Sequence, residues 1–261
     1  MKISGVILAA GKGTRMKSDL PKVLHSVLGK PMITYGQNAI KHLNNKYVVV
    51  GHQSDLVIKE LANEFKPVIQ EEQLGTGHAV LTLLNSNEFI NDDSDYIVII
   101  PGDAPLLLKE SIDELISEST KRSVALGIIT AEVSNPSGYG RIIKDGNTIS
   151  KIVEESDSSE AEQKINEINS GMYCFNKSFL LENIKTLNSN NEQNEIYLTD
   201  LIEIAFQNKL DTVIVQVSED TIKGVNSMSQ LNEVETSLRE ELITSHMENG
   251  CLLYTSDAAD E

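Results

Sequence analysis

Residues Ile3 to Leu8 form a largely apolar, partly β-branched run that leads into Leu8-Ala-Ala-Gly-Lys-Gly-Thr-Arg-Met16, followed by Asp19-Leu-Pro-Lys22. That junction constrains the fold more than any other stretch of the chain. A run that is mostly apolar, rather than alternating, suits a strand covered on both faces, as in a parallel sheet flanked by helices. Gly11 and Gly13 permit backbone conformations and close approaches that a Cβ forbids, so main-chain N–H groups can point at a phosphate or a base edge. Arg15 and Lys22 add positive charge just beyond. The loop lacks the Gly-Lys-Ser/Thr ending of the P-loop, and Met16 stands where G-x-G-x-x-G needs its third glycine. On these residues alone an ordinary glycine turn stays open as a reading.

Downstream, short apolar runs alternate with helical patterns, which predicts an α/β chain built on a mostly parallel mixed sheet with helices on both faces. Strands are expected at Ile3–Leu8, Lys46–Val50, Tyr96–Ile100, Val124–Thr130, Arg141–Lys144, Gly171–Phe175 and Thr212–Gln216. Helices are expected near Met32–Leu43, Ser54–Asn63, Gly77–Leu84, Ser111–Lys121, Lys177–Leu187 and Tyr197–Asn208. Pro31 fits a first helical turn, and Pro21 keeps the loop before it extended. The stretch Asn135–Asn169 is turn-rich, then polar and acidic, and is read as a small β-excursion with a solvated helix or loop at Ser156–Lys164. Met228 to Asn249 spaces Leu231, Val234, Leu238, Leu242 and Ile243 as one helical face with charges between them. The division expected is a main domain over 1–227, a helix over 228–250 and a tail over 251–261.

Four further clusters can carry chemistry. In Gln70-Glu-Glu-Gln-Leu-Gly-Thr-Gly-His-Ala79, Gln70 and Gln73 can offer paired donors and acceptors to a pyrimidine edge, ahead of the Gly75-Thr76 turn into a helix. Pro101-Gly-Asp103 ends an apolar strand, so Gly102 and Asp103 lie where open α/β sheets bind ligands, and a hard carboxylate there suits Mg²⁺. A turn or helix cap before Pro105 is the plainer reading of Asp103. Gly138-Tyr-Gly-Arg141 is a turn open to a ligand, and Glu154 and Asn169 follow at expected strand ends, where a carboxylate and an amide can bind a sugar's hydroxyls and acetamido group. Gly224-Val-Asn226 offers a neutral oxygen that can complete a magnesium shell with Asp103; Asn226 reads equally as a helix N-cap.

The formal charge is −17, which repels nucleic acid and anionic membranes. A polyphosphate must therefore be met by a local cationic patch and a metal ion. Cys174 and Cys251 cannot build a disulfide framework or a cysteine zinc site. Met1-Lys-Ile-Ser runs straight into the first strand and no apolar run is long enough to span a bilayer, so the expected location is cytoplasmic. Cys251-Leu-Leu-Tyr-Thr-Ser-Asp-Ala-Ala-Asp-Glu261 resembles a translated transposon-based sequencing adaptor and is set aside from the fold.

Together the first motif and these clusters resemble the sugar-nucleotide pyrophosphorylases. Within them, from Lys2 to Gly250, the chain resembles the uridylyltransferase half of the bacterial bifunctional N-acetylglucosamine-1-phosphate uridyltransferase/glucosamine-1-phosphate acetyltransferase family. The resemblance implies a Rossmann-like nucleotidyltransferase fold whose β-excursion lies over the sugar, and transfer from UTP to N-acetylglucosamine 1-phosphate, giving UDP-N-acetylglucosamine and pyrophosphate for cell-wall precursors. It implies Leu8, Ala9, Ala10, Gly11, Gln70, Gln73, Gly75 and Thr76 around uridine, with Gly102 and Asp103 beside them. Gly140, Glu154 and Asn169 fall around the sugar, and Arg15 and Lys22 on the phosphates. Mg²⁺ falls between Asp103 and Asn226. Asn194-Glu-Ile-Tyr-Leu-Thr-Asp200 then resembles a loop closing over the sugar through Tyr197 and Thr199. His78 is read as a structural hydrogen-bonder, since a sugar phosphate needs no proton removed at neutral pH. The helix 228–250 resembles a connector to an acetyltransferase domain, through which the full-length family forms homotrimers; a monomer is allowed for this chain. Pro101 and Ala104 depart from the family pattern. A related enzyme with another sugar or base would keep the first motif without Gln-x-x-Gln-Leu-Gly-Thr-Gly-His, and a non-catalytic nucleotide-sugar-binding module would have lost Arg15, Lys22 or Asp103.

Overall fold

The structure, a computed structural model, describes residues 1–252. Its strands are β1 (Ile3–Ala9), β2 (Ser26–Val27), β3 (Lys30–Pro31), β4 (Asn45–Val50), β5 (Lys66–Ile69), β6 (Tyr96–Pro101), β7 (Leu126–Glu132), β8 (Arg141–Asp145), β9 (Thr148–Val153), β10 (Glu167–Asn176) and β11 (Thr212–Val217). Its helices are α1 (Met32–Ile40), α2 (Ser54–Lys59), α3 (Thr76–Leu84), α4 (Lys109–Arg122), α5 (Lys177–Asn183), α6 (Asp200–Gln207) and α7 (Met228–Glu248).

The main sheet runs β11-β7-β10-β6-β1-β4-β5. β1 is parallel to both β4 and β6, β4 to β5, and β11 to β7, while β10 inserts antiparallel between β6 and β7. The expected α/β architecture is therefore present. Val6 and Ile7 of β1 are wholly buried on opposite faces, as a fully apolar strand requires. One face packs on Ile33 and Ile40 of α1, Val57 of α2 and Ile112 and Leu115 of α4. The other packs on Val80 and Leu83 of α3, Phe179 and Leu180 of α5, and Leu201 and Ile202 of α6.

From β1 the chain builds outward through β4 and β5, then returns to place β6 on β1's other side. That reversal opens a crevice at the carboxyl ends of β1 and β6, the place where doubly wound sheets take ligands. Away from it, Asp92 anchors the sheet. Its carboxylate accepts from Ser4 Oγ at 2.6 Å, Tyr47 hydroxyl at 3.0 Å and Asn45 Nδ2 at 3.0 Å, and pairs with Lys177 Nζ at 3.1 Å. Burial opposes its charge, but the hydrogen bonds from Ser4 and Ser94 outweigh that and hold the carboxyl well below the usual range.

Several expectations are revised. β5 was not expected: Lys66-Pro67-Val68-Ile69 is short and contains a proline, which the outermost position in the sheet tolerates. The β-excursion is the hairpin β8–β9, joined to β10 at Arg141–Ile168, and β9 was read only as part of that excursion. Ser156–Lys164 holds two single 3₁₀ turns, Glu155–Asp157 and Glu162–Lys164. The helix expected from Tyr197 begins at Asp200, leaving Tyr197 and Thr199 in the turn before it. Pro31 precedes the first helical residue and also closes the β2–β3 pair. In α7, Leu231 and Val234 are buried in a cluster with Met16, Val27, Met32, Leu106 and Val225, against which Leu238 also packs. Leu242 and Ile243 stand exposed, so the apolar stripe is covered over its first half only. Of the tail, Cys251 and Leu252 are exposed, and 253–261 lie outside the described residues.

Candidate active site

Across the carboxyl edge of the sheet, Gln70 follows β5, Leu8 to Gly11 end β1, Asp103 follows β6, and Asn169 to Tyr173 lie in β10. One cleft of about 320 Å³ takes in all of them: it is lined by Leu8, Ala9, Ala10, Gly11, Lys22, Gln70, Gln73, Gly75, Thr76, Asp103, Glu154, Asn169 and Thr199. In strand order, Asp103 falls between the glycine loop and Asn169. Arg15, Gly102, Gly140, Tyr197 and Asn226 line no part of that cleft directly and are reached through its walls.

The loop after β1 owes its shape to Gly13. This residue takes φ +61°, and a Cβ there would lie 2.7 Å from Lys22 Cβ, so only glycine lets Lys22 close in beneath the loop. Gly11, by contrast, would place a Cβ in open space, leaving the cleft wall at backbone level.

The cations are gathered around Asn226. Its Oδ1 accepts from Arg15 Nη2 at 2.9 Å and from Lys22 Nζ at 3.0 Å, and Lys22 Nζ also pairs with Asp103 Oδ2. Lys22 and Asp103 are largely buried, their side chains 16% and 19% exposed. The Gly224-Val-Asn226 segment is docked by Val225 N–H donating to Asp103 O at 2.9 Å. Residues more than two hundred positions apart thus share one polar knot.

Gln70 is buried, and its amide NH₂ donates to Gly75 O at 3.3 Å and meets His78 Nδ1 at 2.8 Å. His78 is therefore a structural partner of Gln70 in this geometry. Gln73 Nε2 donates to Gln70 O at 2.9 Å and Glu71 O at 3.2 Å. The expected donor and acceptor pairing with a base is revised accordingly: both glutamines spend their NH₂ groups closing the loop, and their oxygens remain for a ligand's N–H.

At the opposite wall, Glu154 follows β9 and its Oε1 accepts from Thr199 Oγ1 at 3.1 Å. Burial pushes its carboxyl up, with Asp157, Asp200 and Glu195 adding to the shift. Gly140 lies beneath it: a Cβ there would approach Glu154 Oε2 to 3.3 Å, and its carbonyl accepts from Asn169 N–H at 2.9 Å. The Asn169 amide is paired with the Tyr173 hydroxyl at 2.7 and 2.9 Å, and Gly171 N–H donates to Asn169 Oδ1 at 3.0 Å. Arg141, fully buried, holds Glu155 at 2.6 Å and thereby fixes the turn that carries Glu154. Tyr197 is buried and donates to Asp157 Oδ2 at 3.1 Å, away from the cleft lining, so it braces the loop.

Sequence reasoning passed over Gly171, Tyr173 and Glu195, all of which line the cleft. The first two sit where β10 is irregular: its register against β7 shifts between Asn169 and Tyr173 and Gly171 takes φ +77°, so strand alternation does not point to them. Glu195 has no such signal either; its carboxyl is raised by burial and its backbone is held by Asn191, whose Nδ2 donates to Glu195 O at 2.6 Å.

The cleft lies at the carboxyl edge of a doubly wound sheet, and the chain belongs to the nucleotidyl transferase family, whose sequence profile matches residues 4–221. It is 46% identical over 260 residues to the bifunctional protein GlmU of Clostridium novyi (strain NT), covering 96% of this chain and 55% of that protein. To the bifunctional protein GlmU of Clostridioides difficile (strain 630) it is 41% identical over 262 residues, covering 99% of this chain and 56% of that one. The chain spans about half the length of the curated relatives it matches. A solved UDP-glucose pyrophosphorylase complexed with UDP-glucose shares the fold at TM-score 0.69 and 19% identity, covering 92% of this chain and 100% of that one. Among the described residues, no helix is long and apolar enough to cross a membrane.

Proposed function

We propose that this chain transfers uridylyl from UTP to N-acetylglucosamine 1-phosphate, forming UDP-N-acetylglucosamine and releasing pyrophosphate. The observation that carries the reading is the order of groups along the sheet edge: base-type contacts after β5 and β1, the cation knot after β6, and hydroxyl- and amide-binding groups at β10. The GlmU relatives support uridylyl transfer to a sugar 1-phosphate, and the acetamido sugar rests on the carboxylate of Glu154 and the amide of Asn169 lining one cleft. Residues 1–227 then form the transferase unit, with the helix over 228–250 braced against it.

The acceptor's phosphate oxygen attacks the α-phosphorus in line as the bond to the β-phosphate's bridging oxygen breaks and pyrophosphate leaves. The nucleophile is already an anion, so the protein positions the reactants and neutralises charge, with no base required. Arg15 and Lys22 hold phosphate oxygens. Glu154 and Asn169 orient the sugar, Gly140 leaves room for Glu154, and Thr199 holds the Glu154 carboxylate in place. Leu8 to Gly11, Gln70, Gln73, Gly75 and Thr76 receive the nucleoside.

Asp103 and Asn226 fit a divalent cation: each turns an oxygen toward the same ammonium, Lys22 Nζ, so two hard oxygen donors already converge on a point of positive charge. Magnesium keeps several waters and takes only one or two protein ligands, which is what this pair offers. When bound there, the ion neutralises charge across the reacting phosphate oxygens.

Pyrophosphate release tests the reading. UTP, CTP and dTTP are each offered with N-acetylglucosamine, glucose and N-acetylgalactosamine 1-phosphates. Release should be fastest with UTP and N-acetylglucosamine 1-phosphate. Equal release with glucose 1-phosphate overturns the sugar assignment, and equal release with another nucleotide overturns the base.

A further inference from the structure

Asn226 is held from behind by the first turn of α7. Ser227 is the N-cap, and its Oγ accepts from Gln230 N–H at 3.2 Å. In the usual capping box the residue three along returns its side chain to the N-cap's own N–H. Here the Gln230 side chain reaches one residue further back: its Oε1 accepts from Asn226 N–H at 2.8 Å. The pin is thus on the backbone of the residue whose side chain receives Arg15 and Lys22. On the other side of Asn226, Val225 is wholly buried and its N–H is tied to Asp103 O. With the backbone at Asn226 clamped from both directions, its side chain starts from a fixed Cα, from which Oδ1 accepts from Arg15 Nη2 and Lys22 Nζ.

We propose that Gln230 is a positioning residue for the transfer reaction, acting through the Asn226 backbone to aim Asn226 Oδ1 at the same point as the Asp103 carboxylate. This rests on the reading of Asp103 and Asn226 as the oxygen pair for a divalent cation. The hydrophobic contacts of Leu231 and Val234 seat the helix, and Gln230 converts that seating into the orientation of one side chain. A residue outside the cleft lining thereby sets the geometry inside it. Among the described residues the Gln230 side chain has one hydrogen-bond partner, the Asn226 N–H at its Oε1, while Ser227 Oγ takes its backbone N–H.

Three measurements on the full chain test this. Amide hydrogen exchange at Asn226 in the metal-free protein should quicken in Gln230→Leu, which removes the acceptor, and return toward the parent rate in Gln230→Glu, which restores an acceptor oxygen. Mn²⁺ binding in the presence of UTP, read from the paramagnetic resonance of the free ion, should weaken about tenfold in Gln230→Leu, the lower end of what losing an outer partner of a metal ligand costs. The magnesium midpoint for pyrophosphate release should rise with it, while UTP affinity without metal stays at the parent value. A Gln230→Leu chain that melts earlier but keeps the parent Mn²⁺ affinity and magnesium midpoint overturns the proposal and leaves Gln230 a helix cap. So does unchanged exchange at Asn226. A parent chain that turns over a different nucleotide and sugar phosphate overturns the substrate reading instead, and the same three measurements then stand with that pair.

Discussion

Exchanging Asp103 for Asn keeps the shape of the side chain and removes its charge, at the point where Lys22 and the proposed cation meet. Two consequences differ in size. In the free protein, Lys22 loses a charge-assisted partner but keeps Asn226 Oδ1 at 3.0 Å, and the Asp103 carbonyl keeps Val225 N–H at 2.9 Å. A hydrogen bond to a charged group contributes about 1.5 to 3 kcal/mol, and the residual solvent access of both side chains cuts this to about 1 kcal/mol. For a chain of this size that lowers the melting temperature by roughly 2 to 4 °C. Catalysis loses far more, because the anionic ligand is gone: several kcal/mol of charge stabilisation, taken as about 3 to 4, is roughly a 10²- to 10³-fold fall in turnover. The assay is pyrophosphate release against magnesium concentration, with calorimetric UTP binding in the absence of metal and a melting curve on the same samples. UTP should still bind through Leu8 to Gly11 and Gln70. Asn226→Ala should cost less, since water can refill one neutral position in an octahedral shell. Near-parent turnover with an unchanged magnesium midpoint, beside the same small drop in melting temperature, would refute the metal role and leave Asp103 as Lys22's ion-pair partner.

Two further outcomes are expected. Gly140→Ala places a Cβ 2.9 Å from Ile152 Cγ2 and 3.3 Å from Glu154 Oε2. Overpacking of this kind costs about 1 to 3 kcal/mol, and the KM for the sugar phosphate should rise while that for UTP holds; a rise in both alike counts against the sugar assignment. Burial, with Glu203 and Asp157 adding repulsion, pushes the Asp200 carboxyl from 3.8 up to about 6. The folded chain therefore binds that proton more tightly than the unfolded chain, and this group's contribution to stability is lost as the pH rises between those two values. Asp200→Asn should melt above the parent at about pH 7.5, with the difference closing by about pH 4; a pH-independent difference would show the shift is absent.

The sheet was legible wherever a strand is buried on both sides, as at β1, β4 and β6, because a continuous apolar run has few other uses. It was illegible where position in the sheet, rather than composition, makes the strand: Lys66-Pro67-Val68-Ile69 pairs only because β4 offers it an edge. The site residues quoted from motifs lie in or beside one cleft, yet their working atoms could not be read from the motifs. Gln70 and Gln73 line the cleft, but their amide hydrogens close the loop on Gly75, His78 and the carbonyls of Gln70 and Glu71. Tyr197 was placed over the sugar and instead braces Asp157. Asp92, which ties β1, β4 and α5 together, carries no local signal beyond its turn with Ser94, since its other partners are scattered from Ser4 to Lys177.

The loops on the two sides of the cleft are sewn to each other, and this bears on how two substrates meet. Ile196 N–H donates to Leu74 O at 2.8 Å, Gly77 N–H donates to Ile196 O at 2.8 Å, and Leu198 N–H donates to Thr76 Oγ1 at 3.0 Å. The stitching is close enough that Gly75, at φ +103°, could carry no Cβ without meeting Ile196 O at 2.6 Å. Gly75 and Thr76 belong to the proposed nucleoside wall, whereas Thr199, one residue beyond Leu198, holds Glu154 on the proposed sugar wall. On the proposed assignment, a nucleotide held at 74–77 is expected to restrain 195–199 as well, so that nucleotide and sugar phosphate bind with positive coupling. Because coupling of this kind is a free energy shared between sites, the sugar phosphate must tighten nucleotide binding by the same factor. On that assignment the acidic chain gains from the coupling, since its overall field gives a polyphosphate no help and affinity falls to the proposed phosphate contacts Arg15 and Lys22 and to the two stitched loops.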